Sequence, residues 1–336
     1  MRLANQLWWR VSVLLCAGVF SQAAPPEPLP GGFTLVVVPD SQKYVWQRPE
    51  LYTLQTGWIA ANARRYKVAY VLHVGDITQH NTAEQWDLAR RAHRVFAGVV
   101  PAAFVPGNHD LGEGGKSTSR RSLMSEYIPL VELQRESGLG GVYDREPGRT
   151  ENTFHTFEAG GRKWLVLALE FGPRDDVMRW ANEVVAEHPD HAAILLTHAY
   201  LRPNATRFDR NVAIRDERGR DRGLERYGLS QAPDGFNDGE ELWQKLVSRH
   251  PNFVMVLCGH VCTSAHLVSV GEHGNEVHQI LVDYQDAPNG GDGWLRLLQF
   301  GAEGTVQVRD YSPLLDQTSS EPACAFEFQL PIAVAR

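Results

Sequence analysis

The stretch AAFVPGNHD, Ala102–Asp110, carries the reading of the chain. Its first half, Ala102–Val105, is a short apolar run of the kind that forms a buried strand. Its second half places Gly107, Asn108, His109 and Asp110 in a row, four turn-forming or titratable residues at the point where the strand stops. The same arrangement recurs on both sides. Phe33–Val38 (FTLVVV) runs into Pro39-Asp40-Ser41-Gln42, and Val68–Val74 (VAYVLHV) into Gly75-Asp76. Ile194–Thr197 runs into His198, and Phe253–Cys258 into Gly259-His260. Five strands thus end in a carboxylate, an amide or an imidazole. In open α/β sheets the carboxyl ends of the strands form the ligand crevice, so these side chains are expected to converge.

Trp164–Leu169 is a further buried strand, and amphipathic helical stretches lie between the strands: Glu50–Tyr66, Thr82–Ala97, Asp175–Glu187 and Asp238–Arg249. Thr82 with Gln85, and Asp238 with Glu241, have the spacing of capping boxes. Strand–helix alternation predicts a largely parallel sheet with both faces covered. Near the end the texture changes. Glu276–Tyr284, Trp294–Phe300 and Thr305–Tyr311 read as strands joined by short turns, for which antiparallel pairing is expected. Two long irregular stretches, 111–150 and 201–236, interrupt the pattern, and loops of that length in a compact domain are usually functional or disordered.

The 336 residues are 43% hydrophobic and 22% charged, which excludes a disordered chain, and no repeat of solenoid period is present. A net charge of −7 argues against a coat for nucleic acid, and no nucleic-acid-binding module is evident. Residues 1–23 combine Arg2 and Arg10, an apolar run over Val11–Phe20 and small residues after it. They read as a secretory signal peptide, the run being too short to span a bilayer. Competing readings are an uncleaved anchor and a mitochondrial presequence. The expected organisation is a signal peptide over 1–23, a stiff linker over 24–32, one domain over 33–312 and a tail over 313–336. The product is expected to be secreted or periplasmic, with no membrane span after cleavage. Cys258, Cys262 and Cys324 then remain, an odd number. Cys324 pairs with Cys262 or with Cys258, or all three stay thiols.

Taken in order, Asp40-Ser41-Gln42, Gly75-Asp76, Gly107-Asn108-His109-Asp110, Thr197-His198 and Gly259-His260-Val261-Cys262 resemble the signature of the calcineurin-like metallophosphoesterases over about residues 33–311. Together with PDSQKY near the start and DYQ and NGGDGWLRL near the end, they look like a secreted bacterial branch. The resemblance implies an α/β fold: a two-sheet mixed β-sandwich flanked by helices, four layers deep, with two divalent metal ions (Mn, Fe, Zn or Mg) at one edge. It implies that Asp76 bridges the ions, that Asn108, His198 and His260 complete one site, and that Asp40 and Gln42 hold the other. It implies also that His109 sits over the leaving group of a phosphate-ester substrate, a phosphomonoester or a phosphodiester, hydrolysed through a metal-bridging hydroxide. Asp110 is a candidate for orienting His109, or else a cap of the segment that follows it.

Two positions depart from the commoner motif: Gln42 and Cys262 stand where it has His. A glutamine carbonyl is a weak neutral ligand and a thiolate a soft one. The preferred reading leaves Cys262 off the metal, with His73, His80 and His266 as possible substitutes that are more readily structural. One tight and one loose ion are expected. The competing function is a degenerate member of the fold that acts as a binding protein. From Arg202 to Arg226 the chain carries eight Arg against five acidic residues, a loop suited either to steering an anion or to plain solvation.

Overall fold

The computed structural model describes residues 24–330 apart from Ser137, Asp216, Gly219, Arg220 and Asp221, so the signal-peptide reading of 1–23 lies outside the described residues. The strands are β1 (Phe33–Val38), β2 (Val68–His73), β3 (Ala102–Phe104), β4 (Leu139–Val142), β5 (Thr153–Ala159), β6 (Arg162–Ala168) and β7 (Ala192–Leu196). They continue as β8 (Phe253–Cys258), β9 (Ser264–Val270), β10 (Glu276–Val282), β11 (Leu295–Phe300), β12 (Thr305–Ser312), β13 (Gln317–Thr318) and β14 (Ala325–Gln329). The main helices are α1 (Gln42–Gln47), α2 (Pro49–Asn62), α3 (Ala83–His93), α4 (Asp175–Glu187) and α5 (Gly239–Lys245).

Two seven-stranded sheets lie face to face. The first has the order β13-β12-β11-β1-β2-β3, with β14 also on β12; the second is β4-β5-β6-β7-β8-β10-β9. In the first, β1, β2 and β3 are parallel, and β11 runs antiparallel to β1. In the second, β6, β7, β8 and β10 are parallel. Strand β1 shows why the sandwich has four layers. Leu35 and Val37 point between the sheets onto Val166, Ile194 and Met255. Val36 and Val38 point outward, into a cluster with Tyr52, Ile59 and Trp86 of α2 and α3. A strand buried on both faces reads as an unbroken apolar run, and each such side chain contributes ~1.5–3 kcal/mol on leaving water. The outer face of the second sheet is covered in the same way by α4 and α5.

Local signals hold at the helix starts. Asp238 and Glu241 form the full capping box, the Glu241 N–H donating to Asp238 Oδ1 (3.0 Å) and the Asp238 N–H to Glu241 Oε2 (3.2 Å). Thr82 caps α3, but Gln85 turns away, and its Oε1 accepts the backbone N–H groups of Gln79 and His80. Half of that box is spent on bracing the segment after Asp76.

The C-terminal strands depart from the expectation of one antiparallel set. β11 and β12 pair antiparallel, but β10 lies in the other sheet, parallel to β8. Between β10 and β11 the chain therefore crosses from one sheet to the other, over residues 283–294. The sheet also runs past residue 312: Gln307 pairs with Glu327 and Val308 with Phe326, so β14 completes the edge. The segment 24–32 is docked. Tyr66 Oη donates to the Pro26 carbonyl at 2.7 Å and Gln299 Nε2 to that of Glu27 at 3.0 Å. Among the described residues, no helix is long and apolar enough to cross a membrane.

Candidate metal centre

Parallel strands deliver the chemistry. The carboxyl ends of β1, β2, β3, β7 and β8 meet at one edge of the sandwich. Asp40, Asp76, Asn108, His198 and His260 follow those ends and are all buried. One donor atom from each of Asp40, Asp76 and His198 lies within 4.8 Å of the other two. His198 Nδ1 is 2.9 Å from the Val74 carbonyl, which can only accept, so that nitrogen carries the proton. Nε2 faces Asn108 Oδ1 (3.1 Å), His260 Nδ1 (3.2 Å) and Asp76 Oδ1 (3.3 Å). An imidazole held through one nitrogen by a carbonyl presents the other as a ligand.

The backbone is shaped to bring these groups together. Asp76 (φ 49°) and His260 (φ 81°) both occupy the left-handed region, a strain of about 1–3 kcal/mol each that packing must sustain. The neighbouring glycines are needed for space. A Cβ on Gly107 would stand 2.1 Å from Asp76 Oδ1, and one on Gly259 would stand 2.1 Å from Asp40 Oδ1. The His109 N–H donates to Asp76 Oδ1 (2.8 Å), and the His260 N–H donates to Asp40 Oδ2 (3.1 Å).

The electrostatics of the site are those of crowded anions. Burial pushes the Asp40 carboxyl well above its usual range, and Asp283 and Asp76 push it further. Burial opposes ionisation of Asp76 too, but His198 and His109 outweigh it and hold that carboxyl low. Asp283 is pushed up to about 6, chiefly by burial, with Asp76 adding to it. Gln42 is fully buried. Its Nε2 donates to Asp76 Oδ2 (3.2 Å) and to Gln285 Oε1, while its Oε1 has no partner among the described residues. Buried carboxylates, the imidazoles of His198 and His260 and an orphaned amide oxygen form a donor set rich in negative charge. Divalent cations that take mixed oxygen and nitrogen ligands fit it.

Each sequence-derived residue can now be located. Asp40, Asp76, Asn108, His198 and His260 come together, and Gln42 borders them through Asp76. His109 stands at the rim with Nδ1 2.9 Å from the Gln79 carbonyl, leaving Nε2 without a described partner. Asp110 makes no hydrogen bond to that ring among the described residues. Its carboxylate accepts the N–H groups of Gly107 (2.9 Å), Ile77 (2.9 Å) and Thr78 (2.7 Å) and the Thr78 hydroxyl (2.8 Å). It ties the Asp76 loop to the Asn108 loop, because a buried carboxylate in a turn is satisfied most cheaply by the nearest backbone donors. Cys262 Sγ accepts the Asp286 N–H at 3.2 Å, and Cys258, Cys262 and Cys324 are all free thiols. No substitute histidine joins the site. His73 lies beneath it, bonded to Ser41 Oγ; His80 stands edge-on to Trp46; His266 stacks on Phe326.

Two residues were not read from the sequence: Asp283 and Gln285. Asp283 follows β10 as Asp40 follows β1, so the strand-then-acid pattern marks it. Gln285 donates to Asp283 Oδ2 through Nε2 (2.8 Å) and accepts from Gln42. No local pattern signals it.

Comparison with known proteins adds a family. The pattern of the calcineurin-like phosphoesterases matches residues 33–264. The chain is 30% identical over 290 residues to the uncharacterized protein YvnB of Bacillus subtilis, a stretch that is 84% of this chain and 20% of that one. It therefore spans about a fifth of that relative's length. Among solved structures, the purple acid phosphatase PPD1 of yellow lupin has a similar fold, with TM-score 0.53, 15% identity, and coverage of 91% of this chain and 55% of that one. A dimetal phosphatase from Danio rerio aligns at TM-score 0.49 and 13% identity, over 87% of this chain and 98% of that one.

Proposed function

The chain belongs to the calcineurin-like phosphoesterase family, and from that premise we propose that it is a metal-dependent hydrolase of phosphate esters. The observation that carries the reading is the convergence of Asp40, Asp76 and His198, with Asn108 and His260 against His198. In this reading Asn108, His198 and His260 would hold one ion, Asp40 and Gln42 would hold a second, and Asp76 is placed to serve both. Asp283 adds carboxylate charge on the side of Asp40, where Gln42 supplies only a neutral oxygen. The second position is the weaker, so one ion would be held tightly and the other loosely. Divalent ions there supply Lewis-acid charge to a bound phosphoryl group and acidify water.

The chain's own residues do the rest. Asp76 needs to remain ionised, and the His109 N–H bond to Oδ1 favours that form. His109, fixed through Nδ1, presents Nε2 at the rim, where a protonated ring donates to a departing oxygen; such assistance is typically worth ~10²–10⁴-fold. Asp110 keeps the two loops in register. Export, read from residues 1–23, belongs to the same proposal and is checked by N-terminal sequencing of the mature protein.

The test is turnover of bis(p-nitrophenyl) phosphate and p-nitrophenyl phosphate in manganese, with a chelated control and the Asp76→Asn variant. Metal-dependent turnover that the variant abolishes supports the reading, and the preferred ester separates diesterase from monoesterase. Absence of turnover in manganese, iron and zinc, with metal binding at a single site, favours the degenerate binding protein.

A further inference from the structure

A cavity of about 500 Å³ opens beside His260, within the size range of small-molecule sites. Arg202, Arg222 and Arg226 line it together with apolar side chains of Phe208, Ile214 and Val261. Its cationic wall is held against the metal-ligating edge. Leu224 and Leu229, on either side of Arg226, sink into a buried cluster with Phe171, Phe208 and Phe236. Tyr227 packs its ring 5.2 Å from that of Phe171 and 5.9 Å from that of His260. Arg226 is steadied by donating to Tyr227 Oη at 2.5 Å. The Arg202 guanidinium has no hydrogen-bond or ion-pair partner among the described residues, although its backbone is fixed by the Arg202 N–H bond to Thr206 O (2.8 Å). The one carboxylate in the lining, Asp286, is paired with Lys43. The lining therefore offers the Arg202 and Arg226 guanidinium groups to a ligand, and among the described residues its carboxylate is already taken by Lys43.

Resting on the phosphoesterase reading, we propose that this cavity is a second anion subsite, and that the substrate is a phosphate ester whose leaving group carries a second phosphate. One phosphoryl group lies at the Asp76 edge. The connecting carbon skeleton lies on Phe208, Ile214 and Val261, and the distal phosphate meets Arg202 and Arg226. Guanidinium groups suit this role because their planar donors match phosphate oxygens in pairs.

The experiment compares 1,4-butanediol bisphosphate with n-butyl phosphate, by phosphate release in manganese, in the wild type and in Arg202→Gln. The wild type is expected to favour the bisphosphate at least tenfold in kcat/KM, and Arg202→Gln to reduce that ratio by about tenfold, the effect of one charged hydrogen bond. Raising the salt to about 0.5 M is expected to shrink the ratio in the wild type more than in the variant. Arg226→Gln is the second variant, with the same expectation, should the first fail to fold. Equal kcat/KM for the two esters in the wild type, or a ratio that neither variant changes, overturns the subsite while leaving the phosphoesterase standing. Hydrolysis of neither ester, nor of the nitrophenyl esters, overturns both.

Discussion

Replacing Arg296 by Met tests how the metal-bearing edge is supported. Arg296 and Asp310 are both fully buried, and the guanidinium joins the two sheets. Nε and Nη2 donate to Asp310 Oδ1 and Oδ2, each at 2.6 Å, on β12 of the first sheet. Nη1 reaches the Leu281 carbonyl on β10 (3.1 Å) and Nη2 reaches Ser264 Oγ on β9 (3.1 Å), both in the second sheet; Nη2 also meets the Ala323 carbonyl (3.0 Å). A methionine of similar length fills the volume but leaves the Asp310 charge unpaired in the core, with Tyr284 as its remaining side-chain donor. Removing one partner of a buried pair costs about 3–5 kcal/mol. Unfolding entropy of ~2.1 cal/mol/K per residue over roughly 300 residues is ~0.6 kcal/mol/K, so the melting temperature should fall by about 5–8 °C. Urea unfolding followed by tryptophan fluorescence measures the energy. Adding Asp310→Asn to Arg296→Met should recover at least half of the loss, because the stranded charge is gone. Leu281 precedes Asp283 by two residues, so manganese affinity should fall as well. A cost below about 1 kcal/mol, or a double variant no more stable than the single, refutes the argument that the pair matters through its buried charge.

Three further outcomes follow from the same geometry. His109→Ala should lower kcat by ~10²–10⁴-fold for an alkyl phosphate and much less for p-nitrophenyl phosphate, whose leaving group needs little protonation; equal losses would remove His109 from the leaving-group side. Gly259→Ala places a methyl where Asp40 Oδ1 stands and against Val74, so manganese titrations should show affinity weakened by about 10–100-fold, with about 1–3 kcal/mol of unfolding energy lost to overpacking; unchanged affinity would show that Asp40 is not a ligand. Burial lowers the pKa of His93 from 6.5 to about 3, so its contribution to stability is complete above pH 6.5 and is lost as the pH falls towards 3. Between pH 7.5 and 5, in chelator, the wild type should lose about 2 kcal/mol more than His93→Gln, from ~1.4 kcal/mol per pH unit below 6.5; parallel pH profiles in urea unfolding would refute this.

What could be read in the chain was local and periodic. The strands β1, β2, β3, β6, β7 and β8 are mainly buried apolar runs, and β11 and β12 carry enough apolar residues between short turns to be read as strands. The residues just beyond β1, β2, β3, β7 and β8 were marked as chemistry because polar groups at a strand end are not needed for packing. Strands β4, β5, β9, β13 and β14 went unread, since half-buried strands such as Leu139–Val142 mix glycine and polar residues and lose the pattern. The role of Asp110 was equally out of reach: the same four residues, Gly107 to Asp110, permit a carboxylate on the histidine ring or on the backbone of a different loop. That choice was made by Ile77 and Thr78, some thirty positions earlier.

The sequence by itself determined which side chains carry the charge and which strands present them, because both depend on a residue and its near neighbours. Only the tertiary structure decided that β10 crosses into the second sheet and brings Asp283 beside Asp40. It alone turned Gln42 between Asp76 and Gln285, 243 positions away, and folded the arginine-rich loop over His260. These are meetings between segments distant in the chain. They are set by how two sheets close on a shared core, a property of the whole packing that no single stretch of residues contains.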